Sequence, residues 1–209
     1  MPARSSPRRR AKRKTYHHGA LRETLVTTAL ELLDAGGRDA VNVREAARRA
    51  GVSPGAPFRH FPDREALLAA LTRAIGEEFS AFSQQAIDGA GASPLDQFRA
   101  MGLAYIRYAI AHPRRFSLLH AETCSDPDAL ALFTRESETV ALIARAQRAG
   151  LLRPGPPDAV HLAAQALTYG LARMIVDGHL PREGAEALAE SVLDVFGRGI
   201  AVGPKRAPL

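Results

Sequence analysis

Two short helices joined by a tight turn are predicted between residues 42 and 61, where the sequence reads NVREAARRAGVSPGAPFRHF. Asn42 can cap the first helix, and Gly51 is suited to end it. Ser53 can cap the second helix with Pro54 at its first position, where the missing amide hydrogen costs nothing. Only two residues then separate the helices. This layout is a helix-turn-helix, which presents its second helix to the major groove of DNA.

The exposed positions of this motif carry groups that can contact phosphates and base edges. Pro54, Gly55 and Ala56 are small enough for backbone amides to approach within hydrogen-bond distance of DNA. Arginine can pair with guanine or clamp a phosphate, although Arg59 could equally lie on a solvated face. The residues predicted to contact DNA are Asn42, Val43, Arg44, Ser53, Pro54, Gly55, Ala56, Phe58, Arg59 and His60.

Other residues of the motif are expected to have structural roles. Pro57 follows Ser53 by four positions, lacks an amide hydrogen and crowds the Ser53 carbonyl, so it should shorten or tilt the second helix. Arg48 and Arg49 are expected to pair with nearby carboxylates. The small or branched residues that face inward from the first helix are Val43, Ala46, Ala47 and Ala50.

Three stretches of the chain resemble the amino-terminal domain of TetR-type transcriptional regulators. They are YHHG at residues 16 to 19, the helix-turn-helix, and FRHFPDREALL at residues 58 to 68. The resemblance implies an all-α regulator that contacts DNA through this motif. Pro57 stands where the family usually has an aliphatic residue, and Phe58 where it usually has a Tyr that donates its hydroxyl to a phosphate. One phosphate contact is therefore predicted to be missing.

The amino-terminal end of the chain is strongly basic. The net charge is +6, yet residues 1 to 18 contain seven basic residues and no acidic one, which leaves 21 basic against 22 acidic residues elsewhere. Such a segment cannot bury apolar surface, so we expect a disordered arm that binds DNA phosphates rather than a merely solvated leader. The predicted phosphate contacts are Arg8, Arg9, Arg10, Lys12, Arg13 and Lys14.

Composition points to a globular protein that remains in the cell. The chain has 209 residues, of which 46% are hydrophobic, enough for a sizeable core. The single Cys124 cannot form an internal disulfide, which fits a reducing cytoplasm. No apolar stretch follows the basic residues to make a signal peptide, and none is expected to span a membrane. We expect a cytoplasmic protein that is associated with the nucleoid when bound to DNA.

Helical periodicity runs along almost the whole chain, which predicts an all-α fold of about nine helices. The stretch GAGASP at residues 89 to 94 is the clearest break. Beyond it, helices are expected near residues 127 to 149 and 158 to 178, and Pro181 is expected to open the last helix. The predicted domains are the arm at residues 1–18, a DNA-binding domain at 19–79, and a ligand-binding and dimerisation domain at 80–209.

The carboxy-terminal half resembles a TetR subgroup whose later helix carries a Trp-His-Gly signature. Gly170 is present here, but Gln165 replaces the Trp and Tyr169 replaces the His. Aromatic and sulfur-containing side chains at helical spacing could form plain core or line a cavity for a small apolar or aromatic effector. The residues predicted for such a pocket are Met101, Tyr105, Tyr108, Phe116, Cys124, Phe133, Tyr169 and Met174.

A dimer is expected because two recognition helices must enter successive major grooves about 34–36 Å apart. Apolar stripes on the last two helices are suited to a four-helix interface. The residues predicted for it are Ala163, Leu167, Leu171, Leu188, Val192, Val195 and Phe196.

The chain lacks sequence signatures of catalysis. Its seven histidines have no metal-ligand spacing, and neither a phosphate-binding loop nor a nucleophile elbow occurs, so no metal, cofactor or enzymatic activity is expected. The sequence therefore predicts a repressor that binds operator DNA as a homodimer and is released by a small molecule. The alternatives are a ligand-free dimeric DNA-binding protein of architectural type and, in another class, a helical-bundle enzyme or carrier.

Overall fold

The computed structural model describes residues 18–122 and 136–201, and within them it contains eight α-helices. The all-α prediction is confirmed, since the described residues form no strand and only the isolated bridge of Leu152 with Ala201. Two 3₁₀ turns, Arg38–Ala40 and Pro57–Arg59, complete the structure. The helices are α1 (His18–Gly36), α2 (Val43–Arg49), α3 (Arg64–Gly89), α4 (Pro94–Ala111), α5 (Pro113–Glu122), α6 (Glu136–Arg148), α7 (Pro157–Val176) and α8 (Ala185–Ile200).

The first three helices form a small bundle whose ends are set by local sequence. The α2 and α3 helices begin at side-chain caps, because the carboxamide of Asn42 accepts from the Glu45 amide and the carboxylate of Asp63 accepts from the Ala66 amide. At the end of α1, a Cβ on Gly36 would lie 2.6 Å from the Ala40 Cβ, so only glycine lets the following turn pack there. The inner stripe of α1 is buried, and its members are Leu21, Leu25, Ala29, Leu32 and Leu33.

One hydrophobic core joins this bundle to the helices that follow. The α3 helix runs unbroken from Arg64 to Gly89, so the predicted domain boundary near residue 79 falls inside a helix. Its buried side chains, from Leu67 to Phe79, belong to the same cluster as residues of α4, α5, α7 and α8. If one end of α3 moves, the residues that pack against its other end must therefore move or repack as well.

One predicted helix start differs from the observed one, and another lies outside the described residues. The last helix begins at Ala185 rather than at Pro181, because Gly184 adopts a left-handed conformation (φ +73°) that interrupts the helix immediately before it. The observed α6 begins at Glu136, and the predicted residues 127–135 lie outside the described part of the chain.

The α7 helix is, by length and composition alone, apolar enough to cross a membrane, which the sequence analysis did not anticipate. Core helices of soluble proteins meet the same criterion. Here the helix packs against α4 and α6 and buries the polar residues His161 and Thr168. Only 28% of its apolar stretch is buried, so one apolar face remains uncovered.

Candidate DNA interface and effector cavity

In the first helix of the motif the arginines are exposed at the surface, whereas the first residue is buried. Val43 is only 5% exposed and packs in the core, so its predicted DNA contact is wrong, and the side chain of Asn42 is engaged as the cap. Glu45 pairs with both Arg48 and Arg49, as expected, and these hydrogen bonds lower the pKa of its carboxyl to about 2.

The second half of the motif is a compact turn rather than the predicted α-helix at residues 54 to 60. In an α-helix the carbonyl of Ser53 would accept from residue 57, but Pro57 has no amide hydrogen. That carbonyl accepts instead from the Ala56 amide at 3.0 Å, and a 3₁₀ turn follows at Pro57–Arg59. The predicted shortening is therefore confirmed, whereas the turn has no side-chain cap from Ser53 or any other residue.

This turn leaves an exposed ridge available for a partner. Ser53, Pro54, Gly55 and Arg59 are exposed, while Ala56 and His60 are half-buried. Phe58 is 40% exposed, so its ring is accessible to a partner. Arg44 and Arg59 form no ion pair with any described residue, so both guanidinium groups are free to bind phosphate or guanine. The predicted arm contacts, Arg8, Arg9, Arg10, Lys12, Arg13 and Lys14, lie outside the described residues.

The position of this ridge is fixed by contacts of Arg64 and Arg22, which the sequence alone did not predict. Arg64, the first residue of α3, donates to the backbone carbonyls of Val41 at 2.9 Å and Arg38 at 2.6 Å. The guanidinium of Arg22 lies 5.5 Å from the ring centroid of the buried Phe61, within cation–π range. Arg64 thus joins the start of α3 to the segment before α2, and Arg22 joins α1 to the residue that follows the turn of the motif. The contacts of Arg64 could have been predicted from its position, because it is a basic residue directly after the Asp63 cap.

We predict that Phe58→Tyr strengthens DNA binding. The exposed ring would gain a hydroxyl able to donate to a phosphate, and a hydrogen bond to a charged group is worth about 1.5–3 kcal/mol at best. Affinity for specific and unrelated duplexes should therefore rise together, by roughly tenfold, in fluorescence anisotropy titrations. Phe82→Tyr, at a similarly exposed phenylalanine (37%) on α3, is the matched control and should change neither affinity. A gain confined to one base position would mean that residue 58 reads sequence instead.

A cavity of about 320 Å³ lies among α3, α4, α7 and α8. Its apolar walls include Phe79, Phe98, Met101, Tyr105 and Phe196. Of the eight residues predicted for an effector pocket, Met101 and Tyr105 line this cavity. Among the described residues, its lining consists of Phe79, Ser83, Leu95, Asp96, Phe98, Arg99, Met101, Gly102, Tyr105, Thr139, His161, Ala164, Gln165, Thr168, Leu193, Asp194, Phe196, Gly197, Arg198 and Ala201.

Four other predicted pocket residues, all within the described part of the chain, do not line this cavity. Tyr108 and Phe116 are fully buried core residues, at 1% and 0% exposure, because the aromatic side chains of α3, α4 and α5 pack edge to face around them. Tyr169 and Met174 are exposed on the outer face of α7. Cys124 and Phe133 lie outside the described residues.

The hydroxyl of Tyr105 is bonded within the protein, rather than left for a ligand. It lies 2.8 Å from Nε2 of His120, whose Nδ1 is 2.8 Å from the carbonyl of Phe116. Because a carbonyl only accepts, Nδ1 carries the proton and Nε2 accepts from Tyr105. Burial lowers the pKa of His120 and raises the pKa of Tyr105, which keeps both groups uncharged. Tyr105 thus presents its ring to the cavity.

Comparisons with known proteins decide the family of the chain. The model described as "Bacterial regulatory proteins, tetR family" matches residues 25–71, and that described as "Tetracyclin repressor-like, C-terminal domain" matches residues 98–196. The chain belongs to the TetR family. It is a transcriptional regulator with a helix-turn-helix DNA-binding domain.

Solved structures of similar proteins agree with this assignment of the TetR fold. A protein of unknown function from Rhodococcus sp. RHA1 is 31% identical with a TM-score of 0.80, over 91% of this chain and all of that one. A TetR-family regulator from Pectobacterium atrosepticum is 24% identical with a TM-score of 0.73, over 90% and 97%. The ketosteroid transcriptional regulator of Mycobacterium tuberculosis is 21% identical with a TM-score of 0.63, over 88% and 97%. No curated protein is significantly similar in sequence to this chain.

In this TetR-family chain, Arg115 on α5 connects three helices around the cavity and the DNA-binding bundle. Its guanidinium pairs with Asp34 of α1 and with Glu78 of α3, each at 2.5 Å. Tyr108 of α4 donates to the other carboxylate oxygen of Glu78 at 3.3 Å. These carboxylates raise the pKa of Arg115, so the guanidinium stays charged. The neighbouring Phe79 stacks edge to face on Tyr108 and also lines the cavity.

The outer faces of α7 and α8 carry exposed apolar side chains. Leu162 is 64% exposed and Val195 63%, and Leu188, Tyr169 and Met174 are each about 40% exposed. Among the residues predicted for a dimer interface, Ala163, Leu188 and Val195 are exposed and Leu167 and Val192 are half-buried. Leu171 is instead 8% exposed in the core, and Phe196 turns toward the cavity, because α7 and α8 present those sides to α4.

Proposed function

We propose that this protein is a cytoplasmic repressor that binds a pseudopalindromic operator as a homodimer and releases it when a small, mainly apolar molecule occupies the cavity. The observation that carries the proposal is the continuity of α3. Phe79 lines the cavity, and the same helix begins at Arg64, shortly after the exposed ridge of the motif. A ligand that displaces Phe79 therefore acts on the helix that positions the DNA-contacting turn.

The outer faces of α7 and α8 support the homodimer. Five large apolar side chains are exposed there, and contiguous apolar surface on a soluble protein marks an interaction site. A two-fold interface between α7 and α8 of two copies would cover these side chains and hold two turns on one face of the DNA. Such an interface would also explain why α7 is as apolar as a membrane-spanning helix, because its exposed face would be covered by the second copy.

The experiment that tests the proposed release is a reciprocal titration. An effector should weaken operator binding by roughly 5- to 150-fold, which corresponds to the usual coupling of about 1–3 kcal/mol. By linkage, saturating operator DNA must weaken effector binding by the same factor. A protein whose operator affinity responds to no cavity ligand would instead be a ligand-free dimeric DNA-binding protein.

Arg115→Met should uncouple the cavity from the operator. The variant keeps an unbranched, flexible side chain but removes its ion pairs with α1 and α3, and residues along such networks change coupling by about 0.5–2 kcal/mol. We expect both ligand and operator to bind, while the ratio of operator affinities with and without ligand falls by roughly 2- to 30-fold. Arg107→Met is the matched control, since Arg107 pairs with Glu186 and Glu190 of α8 and not with α1. An undiminished ratio in Arg115→Met would exclude this route.

A further inference from the structure

The polar side chains that are deeply buried in the cavity wall are Ser83, Thr139, His161 and Thr168, each 2–8% exposed. The Thr168 hydroxyl donates to backbone carbonyls of its own helix, at 2.9 Å to Ala164 and 3.2 Å to Gln165. Thr139 also has a partner. No carboxylate or guanidinium belongs to this deeply buried set.

His161 is a deeply buried lining group with unused hydrogen-bonding capacity. The side chain is 8% exposed, and neither ring nitrogen has a hydrogen-bond partner among residues 18–122 and 136–201. Every fully buried polar side-chain atom in that part of the chain does have a partner, so the ring nitrogens of His161 keep some accessible surface, and the cavity that this residue lines is the open space beside it. An imidazole buried without a partner is costly, and a ligand that bonds to it removes the cost.

Gln165 lies one helical turn after His161 and on the same face of α7. It lines the cavity and is half-buried, and its side-chain carboxamide has no hydrogen-bond partner among the described residues. Its carboxamide can donate and accept, as can a neutral imidazole. Together the two side chains make a polar strip on a wall that is mainly apolar.

The charged residues that line the cavity favour neither an anionic nor a cationic ligand. Asp96, Arg99, Asp194 and Arg198 lie at the rim, and they comprise two acids and two bases. Arg99 is already paired with Asp194 at 2.8 Å, and both side chains are more than 40% exposed. An ionised ligand group placed deeper would lose its hydration without meeting an opposite charge.

We propose that the cavity binds an uncharged, mainly aromatic or aliphatic molecule that carries one amide or hydroxyl group, and that His161 and Gln165 hydrogen-bond to that group. The apolar body of the ligand packs against Phe79, Phe98 and Phe196, and against the ring of Tyr105. This inference rests on the proposed function, because it names the ligand class of the same cavity.

The test uses the full-length dimer without DNA and a fluorescent apolar probe, N-phenyl-1-naphthylamine. Displacement of the probe is compared for 2-naphthamide, 2-naphthoate and naphthalene, of which the first two have nearly the same shape and differ in charge. The amide should displace the probe at a concentration at least tenfold lower than the carboxylate. His161→Leu should weaken the amide about 2- to 12-fold, the usual effect of one lost hydrogen bond, and leave naphthalene unchanged.

Two further variants keep the test decisive. Gln165→Leu should have the same selective effect if His161→Leu fails to fold. His179→Leu, at an exposed histidine that does not line the cavity, should change nothing. The inference is overturned if the carboxylate binds as well as the amide, if folded variants at both positions retain the affinity for the amide, or if none of the compounds binds.

The outcomes separate this inference from the proposed function. If the amide binds through His161 but operator affinity does not change, the proposed release fails while the ligand class stands. If a carboxylate is the better ligand and does release the operator, the ligand class fails while the proposed function stands.

Discussion

Val195→Asp should convert the proposed homodimer into monomers and nearly abolish operator binding. Val195 is 63% exposed, so an aspartate there costs the isolated chain little. In a two-fold interface of α7 and α8 it would bury an unpaired carboxylate twice, at several kcal/mol for each copy. The dimer dissociation constant should rise by roughly a thousandfold or more. Sedimentation velocity over a range of protein concentrations measures this change directly.

The matched control for this experiment is Ala81→Asp. Ala81 is exposed on α3, so the substitution adds the same carboxylate to a helix surface away from the outer faces of α7 and α8, and the dimer should persist. Phe196 is a poor site for the test, because its ring lines the cavity and a substitution there would disturb ligand binding as well. A Val195→Asp protein that is still dimeric would place the interface on another face.

Local signals in the sequence predicted the helix ends of the amino-terminal bundle well. Asn42 and Asp63 cap α2 and α3 because a short polar side chain before an apolar stretch needs no tertiary context to bond the first free amides. Pro57 was informative for the same reason, since the loss of an amide hydrogen is a property of the residue itself. The left-handed Gly184 was missed, because a glycine after a proline does not show where the next helix begins.

The cavity was predicted far less well, because helical spacing does not distinguish a core side chain from one that faces a void. Tyr108 and Phe116 have the same spacing as Met101 and Tyr105, yet the first two are core. His161 was not selected, since a single histidine on an apolar helix matches no metal or catalytic pattern. Its position opposite α3 and α8 becomes apparent only when the helices are packed.

Removing residues 1 to 14 should reduce the salt dependence of DNA binding more than any change in the motif. These residues carry seven positive charges and no acidic residue, and a dimer carries fourteen. Each charge that neutralises a phosphate contributes about −0.9 to the slope of log affinity against log salt. If about half of them engage DNA, the slope should flatten by roughly six units. At low salt the truncated protein should then bind operator and unrelated duplexes about a thousandfold more weakly.

Titrations of operator and unrelated DNA at several salt concentrations measure this slope, and the control is an arm of the same length with its seven basic residues replaced by glutamine. The neutral arm should behave like the truncation if phosphate charge alone matters. A neutral arm that retains selectivity for A·T-rich sequence beside the half-sites would mean that the arm also reads the minor groove, which truncation should abolish. If the slope is unaltered in both variants, DNA binding depends wholly on the ridge around Phe58 and on Arg44 and Arg59, whose guanidinium groups form no ion pair with a described residue.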